Sequence, residues 1–408
     1  MPEAQILIRL VIALAIVVVA TRLVGALARK AGQSAVVGEI AAGILLGPSV
    51  FGALAPEASA VLLPPAIIPP LQVLAELGVV FFMFRIGLEL DTAALARDAR
   101  TAFGIAQASI VLPALMGIAL SWKLHPSLAG PGVAFWPFAL FVGVSMAVTA
   151  FPVLARILLD FGLLRTPLGA MAMSVAAIDD VTAWCLLAAV TGLVRAEPGA
   201  WIYTAVLAPV FALVMLTFGR ALLARLASAP SSPWRVALLI AGMLASAAAT
   251  HAIGIHAIFG AFLFGALVPV QAPLAHAASS AIGGLVGLMM PAFFAVTGLR
   301  TEVGLINGAA AWGTCLVVLT VACAGKIGGA YLSARWAGVP AREAAALGAL
   351  MNTRGLVGLV VINLGLSLGV ITPAFFAMLV LMALTTTAMT SPLLQALGMQ
   401  KGAGASFT

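Results

Sequence analysis

Long apolar runs, broken at short intervals by proline, glycine and isolated charges, make up almost the whole chain. They fall at residues 5–28, 35–52, 71–89, 101–122, 134–159, 167–194 and 200–226, then at 234–252, 256–270, 280–299, 308–336, 341–368 and 373–397. A helix needs roughly 20 mainly apolar residues to cross a bilayer, and most of these runs approach or exceed that. The pattern predicts an all-α membrane protein of about 13 transmembrane helices joined by short connections, leaving no room for a soluble regulatory domain.

Composition agrees: 63% of the 408 residues are hydrophobic and 8% are charged, where a soluble domain has about a quarter charged. Mean hydropathy is +1.19. The net charge of +7 could suggest a nucleic-acid partner, but the basic residues stand singly between runs, so no nucleic acid is expected. They sort by side instead. One set of loops and tails holds most of them, among them Arg29, Lys30, Arg97, Arg100, Arg342 and Lys401, and the other set holds Lys123, Arg195 and Arg300. The richer side is the cytoplasmic one, which puts the N-terminus outside and the C-terminus inside a bacterial inner membrane. Cys185, Cys315 and Cys323 sit in apolar runs without ligand spacing and are expected to pack. The first run lacks a basic leader and a small-residue cleavage pattern, and reads as a span.

A faint repeat runs through the pattern. EIAAGILLGP from Glu39 pairs with AIFGAFLFGA from Ala257, and FMFRIGL from Phe82 pairs with FFAVTGL from Phe293. Both pairs are seven runs apart, and an odd separation inverts the second copy in the membrane. Inverted repeats characterise secondary transporters, whose site lies near the midplane where the copies meet. Chance similarity between apolar segments is the competing explanation.

Charge within a span costs roughly 2.5–3.5 kcal/mol at the bilayer centre, so each such residue needs a partner or a task. Asp179 and Asp180 lie mid-run, as do Lys326 and Arg354. Neighbouring residues on a helix point about 100° apart, so one aspartate can face a basic partner while the other faces an aqueous path. Two carboxylates at that depth repel unless a proton or a cation sits with them, which sets the two ions in competition for one site. Lys326 is the natural counter-ion for Asp179. The alternative is a static network of Asp179, Asp180, Lys326 and Arg354 that fixes helix register. Intramembrane ionisable residues favour the functional reading.

Two runs carry helix breakers in corresponding places. In SMAVTAFPVLAR, Pro152 has no amide hydrogen, which frees the Val148 carbonyl four residues earlier, and Thr149 adds a hydroxyl. Seven runs later MNTRG brings Asn352, Thr353 and Gly355, all mediocre helix formers, around Arg354. Paired interrupted helices point to a transporter's site; a plain proline kink and glycine packing are the structural alternatives. Glu76 lies deep enough to line a pathway, whereas Glu39, Arg85 and Glu89 are expected to serve structure. His251 and His256 flank a turn and are left without a role.

Together GEIAAGILLGPSVFG, FFMFRIGLELD, SMAVTAFPVLARIL, AIDDVTAWCLLA, HAIFGAFLFGALVP, GKIGGAYLSAR and EAAALGALMNTRGLVGLVV resemble the monovalent cation:proton antiporter family that includes Kef-type potassium/proton systems and plant cation/proton exchangers. The resemblance implies a sodium/proton antiporter-like fold with two unwound crossing helices. A mobile core of about 101–194 and 308–397 would work against a dimer-forming scaffold of about 5–89 and 234–299. It implies that Asp180 carries the ion and the proton, that Asp179 pairs with Lys326, that Thr149 and the Val148 carbonyl add ligands to a monovalent cation, and that Arg354 steadies the crossing. Asn352 and Thr353 join Glu76 as possible pathway residues.

Kef-type and plant members generally place Gln or Asn before the essential Asp. Asp179 stands there instead, a pattern similar to sodium/proton antiporters with a DD pair and a membrane lysine, which favours electrogenic exchange. The expected function is sodium/proton antiport by elevator-type alternating access, with potassium/proton exchange as the alternative. The protein is expected to be no enzyme, to use no cofactor beyond the transported Na⁺ or K⁺ and H⁺, and to be a homodimer in the lipid bilayer. A cation channel would lack proton coupling and shows no filter-like sequence. An intramembrane aspartyl protease would need its carboxylates on facing helices.

Overall fold

A computed structural model describes residues 3–89, 99–195, 200–228, 230–254, 256–299, 306 and 308–399. Arg97, Arg300, Lys401 and the side chain of Arg195, all used above to orient the chain, lie outside the described residues. The described chain is helical, apart from one isolated antiparallel bridge between Ala129 and Ile371.

The principal helices are α1 (Glu3–Lys30), α2 (Ala35–Leu46), α3 (Ile68–Glu89), α4 (Ala99–Leu128), α5 (Phe135–Ala147), α6 (Phe151–Asp160), α7 (Pro167–Arg195), α8 (Ala200–Val214) and α9 (Arg220–Ala227). They continue as α10 (Pro233–Ile253), α11 (Ala257–Ala266), α12 (Pro273–Leu299), α13 (Ala309–Trp336), α14 (Ala341–Met351), α15 (Leu356–Ser367) and α16 (Pro373–Ala396). A π-helical turn, Met215–Gly219, joins α8 to α9.

Eleven of the described helical stretches are long and apolar enough to cross a membrane, where the sequence pattern suggested thirteen. Two expected spans account for the difference. The run at 256–270 contains only the ten-residue α11, which leaves its helix at Leu267. The run at 341–368 is divided between α14 and α15, neither of which reaches membrane length. Hydropathy sees both as apolar runs because it does not register where the backbone stops being helical.

Packing sorts the helices into two groups. In one, α1, α2, α3, α10, α11 and α12 contact one another; in the other, α4–α7 pack with α13–α16. The interrupted pair α5/α6 is the most enclosed part, with 94% of its apolar window buried against 22% for α1.

Glycine contacts in the first group expose the repeat. A side chain at Gly298 of α12 would run into the Ile40 carbonyl and Ile44 amide of α2, and one at Gly43 into the Ala295 carbonyl of α12. The same relation recurs with Gly87 of α3 against Phe262 and Ala266 of α11, and Gly265 against the Phe84 carbonyl. Gly38 meets the Val24 carbonyl of α1 just as Gly260 meets that of Ser246 in α10. The Phe82 and Phe293 motifs therefore correspond in the register read from sequence. The other pair does not: Gly43, not Gly47, is the equivalent of Gly265, one helical turn away from the letter-by-letter match. Close helix approach selects glycine at the contact, and chance identity between apolar letters hid it.

Candidate functional site

The site is built where two broken helices cross. α5 ends at Ala147, Val148 and Ala150 are extended, and α6 starts at Phe151 with Pro152 in its first turn. Proline's missing amide and fixed φ suit that position, where the amide has no intrahelical partner to lose. α14 ends at Met351, and α15 starts only after Gly355. There a Cβ would strike the Val153 side chain of α6 and stand 3.2 Å from Ala150 Cβ. The two breaks are tied to each other: the Ala150 amide donates to the Thr353 carbonyl at 3.0 Å, and the Thr149 hydroxyl to the Met351 carbonyl at 3.1 Å.

A half-helix ending inside a protein leaves carbonyls without partners and a partial negative charge. Two cations meet that demand at the end of α5. Arg354 donates from Nη1 to Ser145 O at 2.8 Å and from Nη2 to Met146 O at 2.6 Å, and Lys326 Nζ donates to Ala147 O. The hydroxyl of Thr387 on α16 secures the Arg354 backbone, accepting its amide at 2.9 Å and donating to its carbonyl.

Lys326 also lies 2.9 Å and 3.1 Å from the two carboxylate oxygens of Asp179, and Ser109 of α4 donates to Asp179 at 3.0 Å. Asp179 and Lys326 are both fully buried. Asp180, the next residue, is fully buried too, yet neither of its oxygens has a hydrogen-bond donor among the described residues. The Phe151 amide at the start of α6 is the backbone group that bears on it, too loosely placed to count as a bond. Burying an unpaired carboxylate is costly enough that such a group takes up a proton or a cation.

The other candidates scatter. Val148 and Thr149 are buried in the break, and no described group donates to the Val148 carbonyl. Thr353 is turned to the Leu350 carbonyl at 2.8 Å. Asn352 places Nδ2 3.5 Å from Cys323 Sγ and leaves Oδ1 without a donor. Glu76 is half-buried and accepts from Gln72, one turn away on α3, at 2.7 Å. That bond stays within α3 and does not reach the crossing. Glu39 lies 3.9 Å from Arg156, and Arg85 3.5 Å from Glu89. His256 caps α11 by accepting the Ile258 amide. Ser109, Thr387 and the α5 carbonyls were not singled out from sequence. Hydroxyls and carbonyls of this kind recur along the chain, and only the fold distinguishes these.

Residues 8–397 match the family model of the transmembrane sodium/hydrogen exchanger. The chain belongs to the sodium/hydrogen exchanger family. It is a multi-pass membrane transporter rather than an enzyme, its activity is cation/proton antiport, and the ions are substrates of a family without a cofactor. Among its relatives is the Na(+)/H(+) antiporter NhaS4 of Synechocystis, 41% identical over 91% of this chain and 93% of that protein. Cation/H(+) antiporter 17 of Arabidopsis thaliana is 41% identical over 95% of the chain, and K(+)/H(+) antiporter 1 of Saccharomyces cerevisiae 33% identical over 89%. The chain spans about half the length of these last two, 48% and 43%. Its fold matches that of the sodium proton antiporter MjNhaP1 from Methanocaldococcus jannaschii at pH 8, with a TM-score of 0.64, 14% identity and coverage of 96% and 97% of the two chains.

Proposed function

We propose that this exchanger moves sodium against protons by alternating access, with Asp180 as the carboxylate on which the two ions compete. The observation that carries the reading is the contrast between two adjacent aspartates: Asp179 saturated by Lys326 and Ser109, Asp180 buried without a hydrogen-bond donor among the described residues. Thr149 and the Val148 carbonyl, in the break between α5 and α6, are the proposed further oxygen ligands. The Asp179–Lys326 pair supports electrogenic exchange, since a proton can also be taken up there.

In this reading α4–α7 with α13–α16 form the mobile core. The other group forms a scaffold through which two copies associate in a bacterial inner membrane, with the N-terminus outside. Proteoliposomes containing the purified protein test it: sodium-dependent proton movement that disappears in Asp180→Asn is the expected result. Exchange surviving that substitution would overturn the role of Asp180.

Potassium is the second reading, favoured by the yeast relative named as a K(+)/H(+) antiporter. Sodium and potassium prefer different cavity sizes and ligand counts, so activity measured in turn with Na⁺, K⁺ and Li⁺ separates the two.

A further inference from the structure

The two helix groups also meet through a polar cluster at the end of α6 opposite the break. Its scaffold side is the corner between α1 and α2. Asp160, the last residue of α6, accepts the Ser34 hydroxyl at 2.6 Å and the Ala35 amide at 3.2 Å. Ser391 of α16 accepts the Ser34 amide at 3.2 Å, and Gln395, one turn on, donates to the Gly32 carbonyl. Arg156 of α6 stands between two carboxylates, 3.4 Å from Asp160 and 3.9 Å from Glu39 of α2. Arg165 adds a bridge to Glu89 of α3 at 3.5 Å, but with 76% of its side chain exposed it contributes little.

All these bridges lie at one end, where α1 and α3 finish and α2 begins. That is the basic-loop end of the molecule, bearing Arg29 and Lys30 in the last turn of α1. The N-terminus of α2 is thus capped by a carboxylate borrowed from the other helix group, a favourable place for negative charge. The sequence of the inverted copy offers no equivalent carboxylate. In the register fixed by the glycine contacts Ser34 corresponds to His256, each capping its own helix by accepting the amide two residues on. Counting from the helix ends Ala147 and Met351, Asp160 corresponds to Leu364, and counting from the helix starts Phe151 and Leu356 it corresponds to Gly365; neither has a side-chain acceptor.

We propose that Asp160, Arg156, Ser391 and Gln395 form a latch with Ser34, Gly32 and Glu39 that holds the molecule closed on the cytoplasmic side, and that it parts each time Asp180 is presented there. This rests on the alternating-access reading above. Weakening the latch raises the fraction of molecules open to the cytoplasm. Apparent affinity scales with that fraction, so the two faces respond in opposite directions.

Two measurements test it. In vesicles of known orientation, Asp160→Ala is expected to lower the cation KM at the cytoplasmic face by about three- to tenfold and to raise it at the other face, with Ser391→Ala giving a smaller shift of the same kind. Both values unchanged, or both moving the same way, would overturn the latch; a merely structural role would produce the latter.

The second measurement pairs Ser34→Cys with Ser391→Cys, chosen because the Ser34 amide reaches the Ser391 hydroxyl at 3.2 Å; a disulfide forms where the Cα atoms come within about 4.4–6.8 Å. Oxidation is expected to bond the pair and stop exchange, with recovery on reduction, while each single substitution stays insensitive. No bond under oxidation, or a bonded protein exchanging at the reduced rate, would overturn the proposal. Absence of exchange in the unaltered protein would overturn the antiport reading and the latch with it, whereas the other negative results overturn the latch alone.

Discussion

The two interrupted helices share a backbone plan and divide the charges between them. Both break after a first half-helix, at Ala147 and at Met351, and hydrogen bonds between the breaks hold them together. Yet both mid-membrane carboxylates, Asp179 and Asp180, come from α7 in the first copy, and the cations that answer them and cap α5, Lys326 and Arg354, come from α13 and the α14–α15 break in the second. Where α7 carries aspartates, α16 offers hydroxyls such as Thr387. Repetition supplies the frame, and unequal side chains gather the buried opposite charges at one crossing. The glycine-lined group shows the opposite case, with copies alike in their glycine contacts at Gly43 and Gly265, Gly87 and Gly298, and Gly38 and Gly260.

The sharpest way to break the comparison is Asp180→Asn, for which cation-driven proton movement should fall to background while the protein remains monodisperse in detergent. Next, Lys326→Met leaves Asp179 buried without its partner and should cost about 3–5 kcal/mol in thermal unfolding. Combining it with Asp179→Leu should recover most of that loss. If the double variant also exchanges, a membrane-potential dye will report whether exchange has become electroneutral, which separates a proton-carrying pair from a static one. Arg354→Met strands the Ser145 and Met146 carbonyls at about 1–3 kcal/mol each, read as a lower denaturation midpoint.

On the glycine side, Gly43→Val and Gly265→Val should each cost about 1–3 kcal/mol through overpacking. Comparable losses support the corrected register, and a marked inequality counts against it. Smallest is Pro152→Ala, expected to change stability by about 1 kcal/mol or less. Bonds between the two breaks, rather than the proline, maintain the interruption, as the proline-free second break indicates.

Much of this was legible in the sequence because lipid makes charge scarce. A buried lysine in a chain with so few ionic partners has little choice, and its contact with Asp179 follows from that scarcity. The breaks were legible too, through Pro152 and the run from Asn352 to Gly355. What stayed hidden depends on tertiary geometry. Nothing local marks Ser109 among the other serines, or Thr387 among the neighbouring threonines of α16, as the hydroxyl that meets a site residue. The short helices stayed hidden for a related reason: apolar length is a property of composition, while α11 and the α14–α15 pair are short because their backbones turn. The repeat's register was off by one turn because letter identity between apolar segments is weak where glycine contact is strong.

The borrowed cap on α2 also makes the protein its own isotope-exchange probe. The Val36 amide bonds to the Ser34 hydroxyl and the Val37 amide to the Ser34 carbonyl, whereas the Ala35 amide rests on Asp160 of the opposing helix group. Amide deuteration follows the opening of the bond that protects it. Ala35 should therefore exchange with solvent at a rate set by how often the two groups part, against a background of neighbours whose bonds travel with them.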